Sequence, residues 1–169
     1  MFGKRKERAL LQKVFGCKEG FELIITQPLG PGVYKKGSID PYTIFSSFKD
    51  EEGKTGALLS FSGIVKAVGK NGKKVKKLVL EAYEESASEV IRRICDELVK
   101  KYDLRAAYIY HFVGEFNVGE LIVFVFIASK SRNEGYPALV EAVKRYKSEP
   151  PIWKKEIYED GTSEWIVED

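Results

Sequence analysis

Histidine is nearly missing from this chain of 169 residues, which has only His111, and cysteine is reduced to Cys17 and Cys95. With no CxxC pair and no histidine-rich company, these residues do not form a zinc site of ordinary ligand spacing. The same scarcity leaves no disulfide framework of the kind small secreted domains rely on, and a reducing cytosol fits best. Long hydrophobic runs are missing too. Lys4, Arg5, Lys6 and Arg8 precede a short apolar stretch at 9–11, but Gln12 and Lys13 interrupt it before it reaches signal-peptide length. No stretch approaches the roughly 20 apolar residues that span a bilayer, so the expectation is a soluble, cytoplasmic protein. Nor does one sign of charge prevail. Lys+Arg 28 against Asp+Glu 25 leaves +3, a weak overall field that argues for local anion sites and not by itself for nucleic acid. A Gly-rich phosphate loop, a Ser-His-Asp arrangement and an RNA-recognition signature are all lacking.

What is present suits one domain. A chain of this length with 44% hydrophobic residues can bury roughly 70% of its unfolded surface around a single core. Residues 4–16 could form a short basic helix, and 21–26 (FELIIT) read as a strand ending at Gln27-Pro28. The PLGPG stretch then forces a loop. Asp40-Pro41 matches an N-cap followed by proline at the first helical position, with Ile44, Phe45 and Phe48 as the apolar stripe. From 56 to 65 the chain alternates, with Leu59, Phe61 and Val65 on one side, and 78–83 alternates again. Asn71-Gly72 between them predicts a β-hairpin with a lysine-rich tip.

Ser86-x-x-Glu89 has the form of a capping box, and Val90, Ile91, Ile94 and Leu98 recur at helical spacing up to Lys100 and Lys101. Two apolar strands follow at 106–113 and 121–128. The second, LIVFVFIA, is apolar on both faces and belongs inside a sheet. A last helix carries Tyr136, Val140 and Val143 on one face until Pro150-Pro151 stops it. A final strand or hairpin holds Trp153, Ile157 and Trp165 around Asp160-Gly161. Hairpins mixed with separate helices make the fold class α+β.

Lys147 lies four residues after Val143, seven after Val140 and eleven after Tyr136, which sets it on the expected buried stripe of the last helix. A lysine there either snorkels toward the last helix carbonyls or has a chemical task. Lys154 follows beyond the paired prolines, and PPIW could turn the chain so that both amines face one cavity. Two lysines in a partly desolvated cavity repel, which lowers a pKa and can leave one amine neutral as nucleophile or base. The plain alternative for Lys154 is a strand with one charged face. Ser131-Arg132 precedes the same helix, where free amides and the dipole attract anions; equally, Ser131 and Glu134 simply cap the helix and Arg132 is a solvated rim residue. His111 alternates with Ala107, Ile109 and Val113 on one strand face and reads as a structural histidine. Lys70, Lys73, Lys74, Lys76 and Lys77 read as a solubilising charge run.

Taken together, GALLSFSGIVK, LVLEAY, IYHFVGEFNVGELIVFVFIAS, SR before a helix, and KSEPPIWKKEIYEDGTSEWI resemble the large, catalytic subunit of molybdopterin synthase, the MoaE family. The resemblance is clear over 56–167 and weaker over 21–55. It leaves residues 1–20 as a basic N-terminal extension and 21–169 as the catalytic-subunit domain. It implies an α/β-hammerhead fold with an antiparallel or mixed sheet and packed helices, and a homodimer of large subunits within a heterotetramer. Each large subunit would bind a small ubiquitin-like sulfur-carrier subunit whose C-terminal Gly-Gly tail is a thiocarboxylate. Sulfur would pass from that tail to cyclic pyranopterin monophosphate, making the dithiolene of molybdopterin. No metal or redox cofactor is implied, because the sulfur arrives already activated.

By the same resemblance the catalytic lysine pair falls on Lys147 and Lys154, the pocket arginine on Arg132, and a carboxylate that often follows the second lysine on Glu156. Two positions depart from the pattern. Ser131 stands where many members have histidine, which removes a candidate proton carrier, and Lys66 stands where many have arginine, which keeps charge but loses bidentate phosphate recognition. The expected substrate pocket is rimmed by Arg132 and Lys66 and can be completed by a neighbouring subunit. Two other readings remain open: a non-catalytic relative that binds the sulfur carrier without completing transfer, and a basic domain that binds RNA or another polyanion through the lysine-rich tip.

Overall fold

The protein's structure, a computed structural model, describes residues 29–167. The helix expected at 4–16, the strand at 21–26 and the boundary at residue 20 lie outside the described residues. The elements run β1 (Gly32–Lys35), α1 (Pro41–Ser47), β2 (Ala57–Ile64), β3 (Val75–Ala82), α2 (Glu84–Tyr102), β4 (Ala106–Asn117), β5 (Leu121–Ser129), α3 (Arg132–Ser148), β6 (Ile152–Tyr158) and β7 (Ser163–Ile166). The strands lie in the order β2-β5-β4-β3-β6-β7, antiparallel throughout, with β1 added in parallel to β4. This is the α+β class the sequence predicts, with a mixed sheet.

β4 serves two ladders. Ala106 to His111 pair with β5, and Gly114 to Asn117 pair with β3. The changeover falls at Gly114, whose φ of 125° is closed to other residues without strain. β5 lies between β2 and β4, and its two faces pack into separate core layers, as its unbroken apolar run requires. Val123, Val125 and Ile127 join Ile91, Ile94 and Leu98 of α2 and Ala138, Ala142 and Tyr146 of α3 in one core layer. Phe124 and Phe126 point the other way, where α1 sends Phe45 and Phe48 edge-on against Phe126, each at 5.2 Å between ring centroids. α1 starts as the sequence predicts, with the Asp40 side chain accepting from the Tyr42 amide at 3.0 Å and Pro41 in the first turn.

Four local expectations are corrected. β2 and β3 do not form a hairpin: β2 pairs with β5, and β3 with β4 and β6. Asn71-Gly72 still makes a short hairpin tip, with Gly72 at φ 81°, Val68 bridged to Lys74 and the Val75 amide donating to the Ala67 carbonyl oxygen at 2.9 Å, but beyond it the two arms part to different places in the sheet. The PLGPG loop leads straight into β1, whose four residues gain strand geometry from the neighbouring backbone of β4, a contact no local pattern announces. α2 begins two residues before the apparent capping box, at Glu84, with no side-chain cap; acidic Glu84 and Glu85 in its first turn complement the helix dipole. Ser88 instead turns outward to accept the Val33 amide at 3.0 Å, tying α2 to β1.

The fourth correction concerns α3. Its buried residues are Gly135, Ala138, Ala142 and Tyr146, whereas Tyr136 and Val140 are 59% and 56% exposed. Small residues let the helix axis approach the sheet closely. A Cβ added at Gly135 would lie 2.4 Å from Leu59 Cδ1 and 2.6 Å from Ser129 Oγ. Close approach outweighs the area that Tyr136 and Val140 would bury, so these two side chains face away.

Candidate active site

α3 leaves the end of β5 at Ser131 and runs back along the sheet. Its first turn packs on Leu59 and Ser129, and its last buried residue, Tyr146, meets Phe61 of β2 at 6.4 Å and His111 of β4 at 5.9 Å between ring centroids. Lys147 follows directly and is exposed, not part of the buried face. As a cation in the last helical turn it lies where the helix dipole favours positive charge. Pro150 and Pro151 end the helix and turn the chain into β6, which places half-buried Lys154 opposite Leu80 of β3.

His111 is the common neighbour of these elements. It is 1% exposed, and its Nδ1 donates to the Phe112 carbonyl oxygen at 3.2 Å. Burial, and after it the positive charge of Lys154, pushes its pKa down to about 3, so the ring is neutral at pH 7. The ring is thus a buried structural histidine, as the sequence reading has it, yet one that feels Lys154 and packs on the residue before Lys147. Lys66 lies at this same end: it follows β2 two residues after Ile64, which pairs with Leu121, close along β5 to Val123 opposite His111.

Arg132 and Ser131 are elsewhere. Fifteen residues of helix separate Arg132 from Lys147, a rise of about 22 Å, and Arg132 lies at the Ala57 end of the β2/β5 ladder, opposite the end that carries Lys66. A pocket rimmed by both Arg132 and Lys66 is therefore not formed within one copy. Ser131 is occupied as a cap: its hydroxyl accepts from the Asn133 amide at 3.1 Å and donates to Glu134 at 2.7 Å, while Glu134 accepts the Ser131 amide at 3.1 Å. The cap leaves exposed Arg132 as the cation at this end of α3.

Glu156 lies one pleat beyond Lys154. It accepts from the Tyr158 hydroxyl at 3.0 Å, and its Oε2 lies close over Gly69, 2.4 Å from where a Cβ would stand. Asn71 donates to Tyr158 at 2.9 Å and to Glu164 at 3.0 Å, which completes a polar knot. Burial of Tyr158 and the Glu156 carboxylate push the phenol up to about 12. In the lysine run, Lys73 is paired with Asp160 at 2.9 Å and Lys77 with Glu115 at 2.9 Å, so part of its charge is neutralised locally.

Of these cations Lys154 is the one whose charge reaches buried His111; Lys147 follows Tyr146, which packs on that ring, Lys66 lies just beyond β2 at the same end of the sheet, and Arg132 is at the far end of α3. The family model described as MoaE protein matches residues 35–149, from the last residue of β1 to just past the end of α3. The chain belongs to the MoaE family. A molybdopterin synthase catalytic subunit from Bacillus subtilis is 38% identical over 118 residues, 70% of this chain and 74% of its own length. The crystal structure of molybdopterin synthase from Staphylococcus aureus superposes with a TM-score of 0.75 at 29% identity, covering 84% of this chain and all of that one. A complex of subunits 1 and 2 of molybdopterin-converting factor from Helicobacter pylori shares the fold, with a TM-score of 0.64 at 18% identity over 81% of this chain and 90% of that one. Relatives named molybdopterin synthase catalytic subunit span bacteria, archaea and mammals, so the MoaE chain described here is an enzyme of molybdenum cofactor biosynthesis, a sulfurtransferase. No helix among the described residues is long and apolar enough to cross a membrane.

Proposed function

We propose that this MoaE chain takes sulfur from the C-terminal thiocarboxylate of a small ubiquitin-like subunit and passes it, in two rounds in the cytoplasm, to cyclic pyranopterin monophosphate. In each round the tail's sulfur bonds to a precursor carbon as an oxygen substituent leaves that carbon, and water then cleaves the bond between sulfur and the tail's carbonyl carbon, releasing the tail as a carboxylate. Lys147 acts as acid/base or as transient acceptor of the tail, and Lys154 holds the anionic substrate and stabilises developing charge. The observation that supports this reading is that the charge of Lys154 reaches buried His111, on whose ring Tyr146 packs one residue before Lys147. Glu156 and Ser131 serve the walls of the site, the first through its knot with Tyr158 and the second through the helix cap.

Arg132 enters from a second copy. One α3 length is too far for an arginine to reach Lys147 in its own chain, so two large subunits form the site together, with a small subunit on each; the complex of two converting-factor subunits supports such a partner. The polyanion reading is less well supported, because Lys73 and Lys77 already hold carboxylates.

The test is reconstitution of the purified chain with thiocarboxylated small subunit and precursor, beside Lys147→Ala. The unmodified chain should yield dithiolene product, and the variant about 10²–10⁴-fold less. Partner binding without product would instead mean a non-catalytic relative, and normal turnover by the variant would remove Lys147 from the chemistry.

A further inference from the structure

The loop between β2 and β3 has little to hold it by its own composition. Ala67 and Val68 are exposed, and Lys70, Lys73, Lys74, Lys76 and Lys77 repel one another. Yet its tip is tied down at three points. Gly69 lies beneath the Glu156 carboxylate, the Asn71 amide donates to the Tyr158 hydroxyl at 2.9 Å and to Glu164 at 3.0 Å, and Lys73 donates to Asp160 and to Thr162 Oγ1, each at 2.9 Å. All of these partners belong to β6, to β7 or to the turn between them.

Donors and acceptors at the centre of this contact match one for one. The two amide hydrogens of Asn71 go to Tyr158 and Glu164, the phenol hydrogen goes to Glu156, and Asn71 Oδ1 accepts the Lys73 amide at 2.9 Å. Tyr158 is 2% exposed, in the core layer that also holds Val75 and Val65, the residue before Lys66. A side chain packed in that way cannot follow a moving loop, so it is an anchor for one. The backbone agrees: Val75 pairs with Tyr158 on one side, and on the other its amide donates to the Ala67 carbonyl oxygen at 2.9 Å. The chain at Lys66 and Ala67 therefore runs about two strand spacings, roughly 10 Å, from β6. Lys66 lies on the side of that contact that leads along β6 toward Lys154.

We propose that Asn71 and Tyr158 are positioning residues, whose hydrogen-bonded clasp holds the loop after β2 against β6 and so fixes Lys66 relative to Lys154. The inference rests on the reading of Lys154 as the residue that holds the anionic precursor, and adds what keeps a second cation in place beside it. A lysine on a free loop gives up backbone and side-chain freedom each time it binds; on a clasped loop the backbone share of that loss is met during folding. Lysine is a point charge without the planar fork of a guanidinium, so it depends on its backbone for direction.

The test measures steady-state kinetics with thiocarboxylated small subunit and varied cyclic pyranopterin monophosphate, for the full unmodified chain, Tyr158→Phe, Asn71→Asp, Lys66→Ala and the double variant Lys66→Ala/Tyr158→Phe. Tyr158→Phe keeps the ring and removes the hydroxyl. Asn71→Asp keeps the acceptor for the Lys73 amide, removes both donors and brings a third carboxylate to Glu156 and Glu164. Tyr158→Phe should raise KM for the precursor about 2–10-fold, the worth of one hydrogen bond, with kcat nearly unchanged. Asn71→Asp should raise it at least as much, and Lys66→Ala should act in the same direction. Adding Tyr158→Phe to Lys66→Ala should raise KM no further, because both act through one amine. An unchanged KM in folded Tyr158→Phe, a fall in kcat in place of the rise in KM, or effects that multiply in the double variant would each overturn the clasp. Should Tyr158→Phe fail to fold by circular dichroism, Glu164→Ala on exposed β7 takes its place under the same criteria, since it removes an acceptor of Asn71 from outside the core. Calorimetric binding of the precursor without the small subunit separates the two readings. Variants that weaken binding to a chain that makes no product leave the clasp and remove sulfur transfer; full turnover with binding unmoved by the variants does the reverse; no binding by the unmodified chain overturns both.

Discussion

Mixing two impaired chains should restore activity. Arg132→Ala removes the cation at the start of α3, and Lys147→Ala removes the one at its end, about 22 Å away along the helix. Loss of hydrogen bonds to a charged group costs about 1.5–3 kcal/mol, or roughly 10–150-fold, so Arg132→Ala alone should fall by that much. Lys147→Ala should fall about 10²–10⁴-fold. In a mixed dimer, one site combines Lys147 from the first variant with Arg132 from the second and is intact, while the other lacks both. Random exchange makes half of the dimers mixed, each with one good site in two, so activity should rise to about one quarter of normal. The assay refolds the two variants together and measures dithiolene formed per minute with excess thiocarboxylated partner and precursor. A mixture no more active than the average of its parents would refute action across copies. Unchanged turnover by Arg132→Ala alone would remove the arginine from the site altogether.

Two further outcomes follow from the packing around α3. His111 has a folded pKa near 3 against an ordinary 6.5, so its contribution to stability is complete above pH 6.5 and is lost as pH falls toward 3. Urea unfolding should show about 2 kcal/mol less stability at pH 5 than at pH 7.5 from this group, and an ordinary titration midpoint for His111 by NMR would contradict it. Gly135→Ala gains about 1 kcal/mol of helix propensity but drives a methyl into Leu59 and fully buried Ser129, which overpacking values put at about 1–3 kcal/mol. The net change should be a loss of stability in denaturant unfolding, and a stabilised variant would show that α3 can lift off the sheet at little cost.

Much of the fold is legible because local chemistry and final structure agree. Asp40-Pro41 starts a helix, Ser131 and Glu134 cap another, LIVFVFIA is an interior strand, and Asp160-Gly161 turns the last hairpin, with Gly161 at φ 83°. What local pattern misreads is partner choice. Asn71-Gly72 specifies a reversal of the chain, but the strands it joins find their hydrogen bonds with β5, β4 and β6. The face of α3 is misread because Gly135, Ala138 and Ala142 carry little hydrophobic signal, although small side chains are what a close helix–sheet contact needs.

The residues proposed for the site are picked out in the sequence by the lysines on either side of Pro150-Pro151 and by the helix start that carries Arg132. The site's internal geometry is not. The separation of Arg132 from Lys66 depends on which strand lies beside which, a tertiary fact. The neighbourhood of His111, Tyr146 and Lys154 joins three elements distant in sequence, and alternation along β4 identifies only one of the three.

β4 carries one last consequence. A strand that closes two ladders at once cannot slip by a residue in one without tearing the other, and the only pliable joint between its halves is a single glycine. Neither half of the molecule is then an independent folding unit, so heat or denaturant should melt the described domain in one cooperative step. An insertion between His111 and Gly114 should be far more damaging than one of equal length in the turn at Asn71-Gly72.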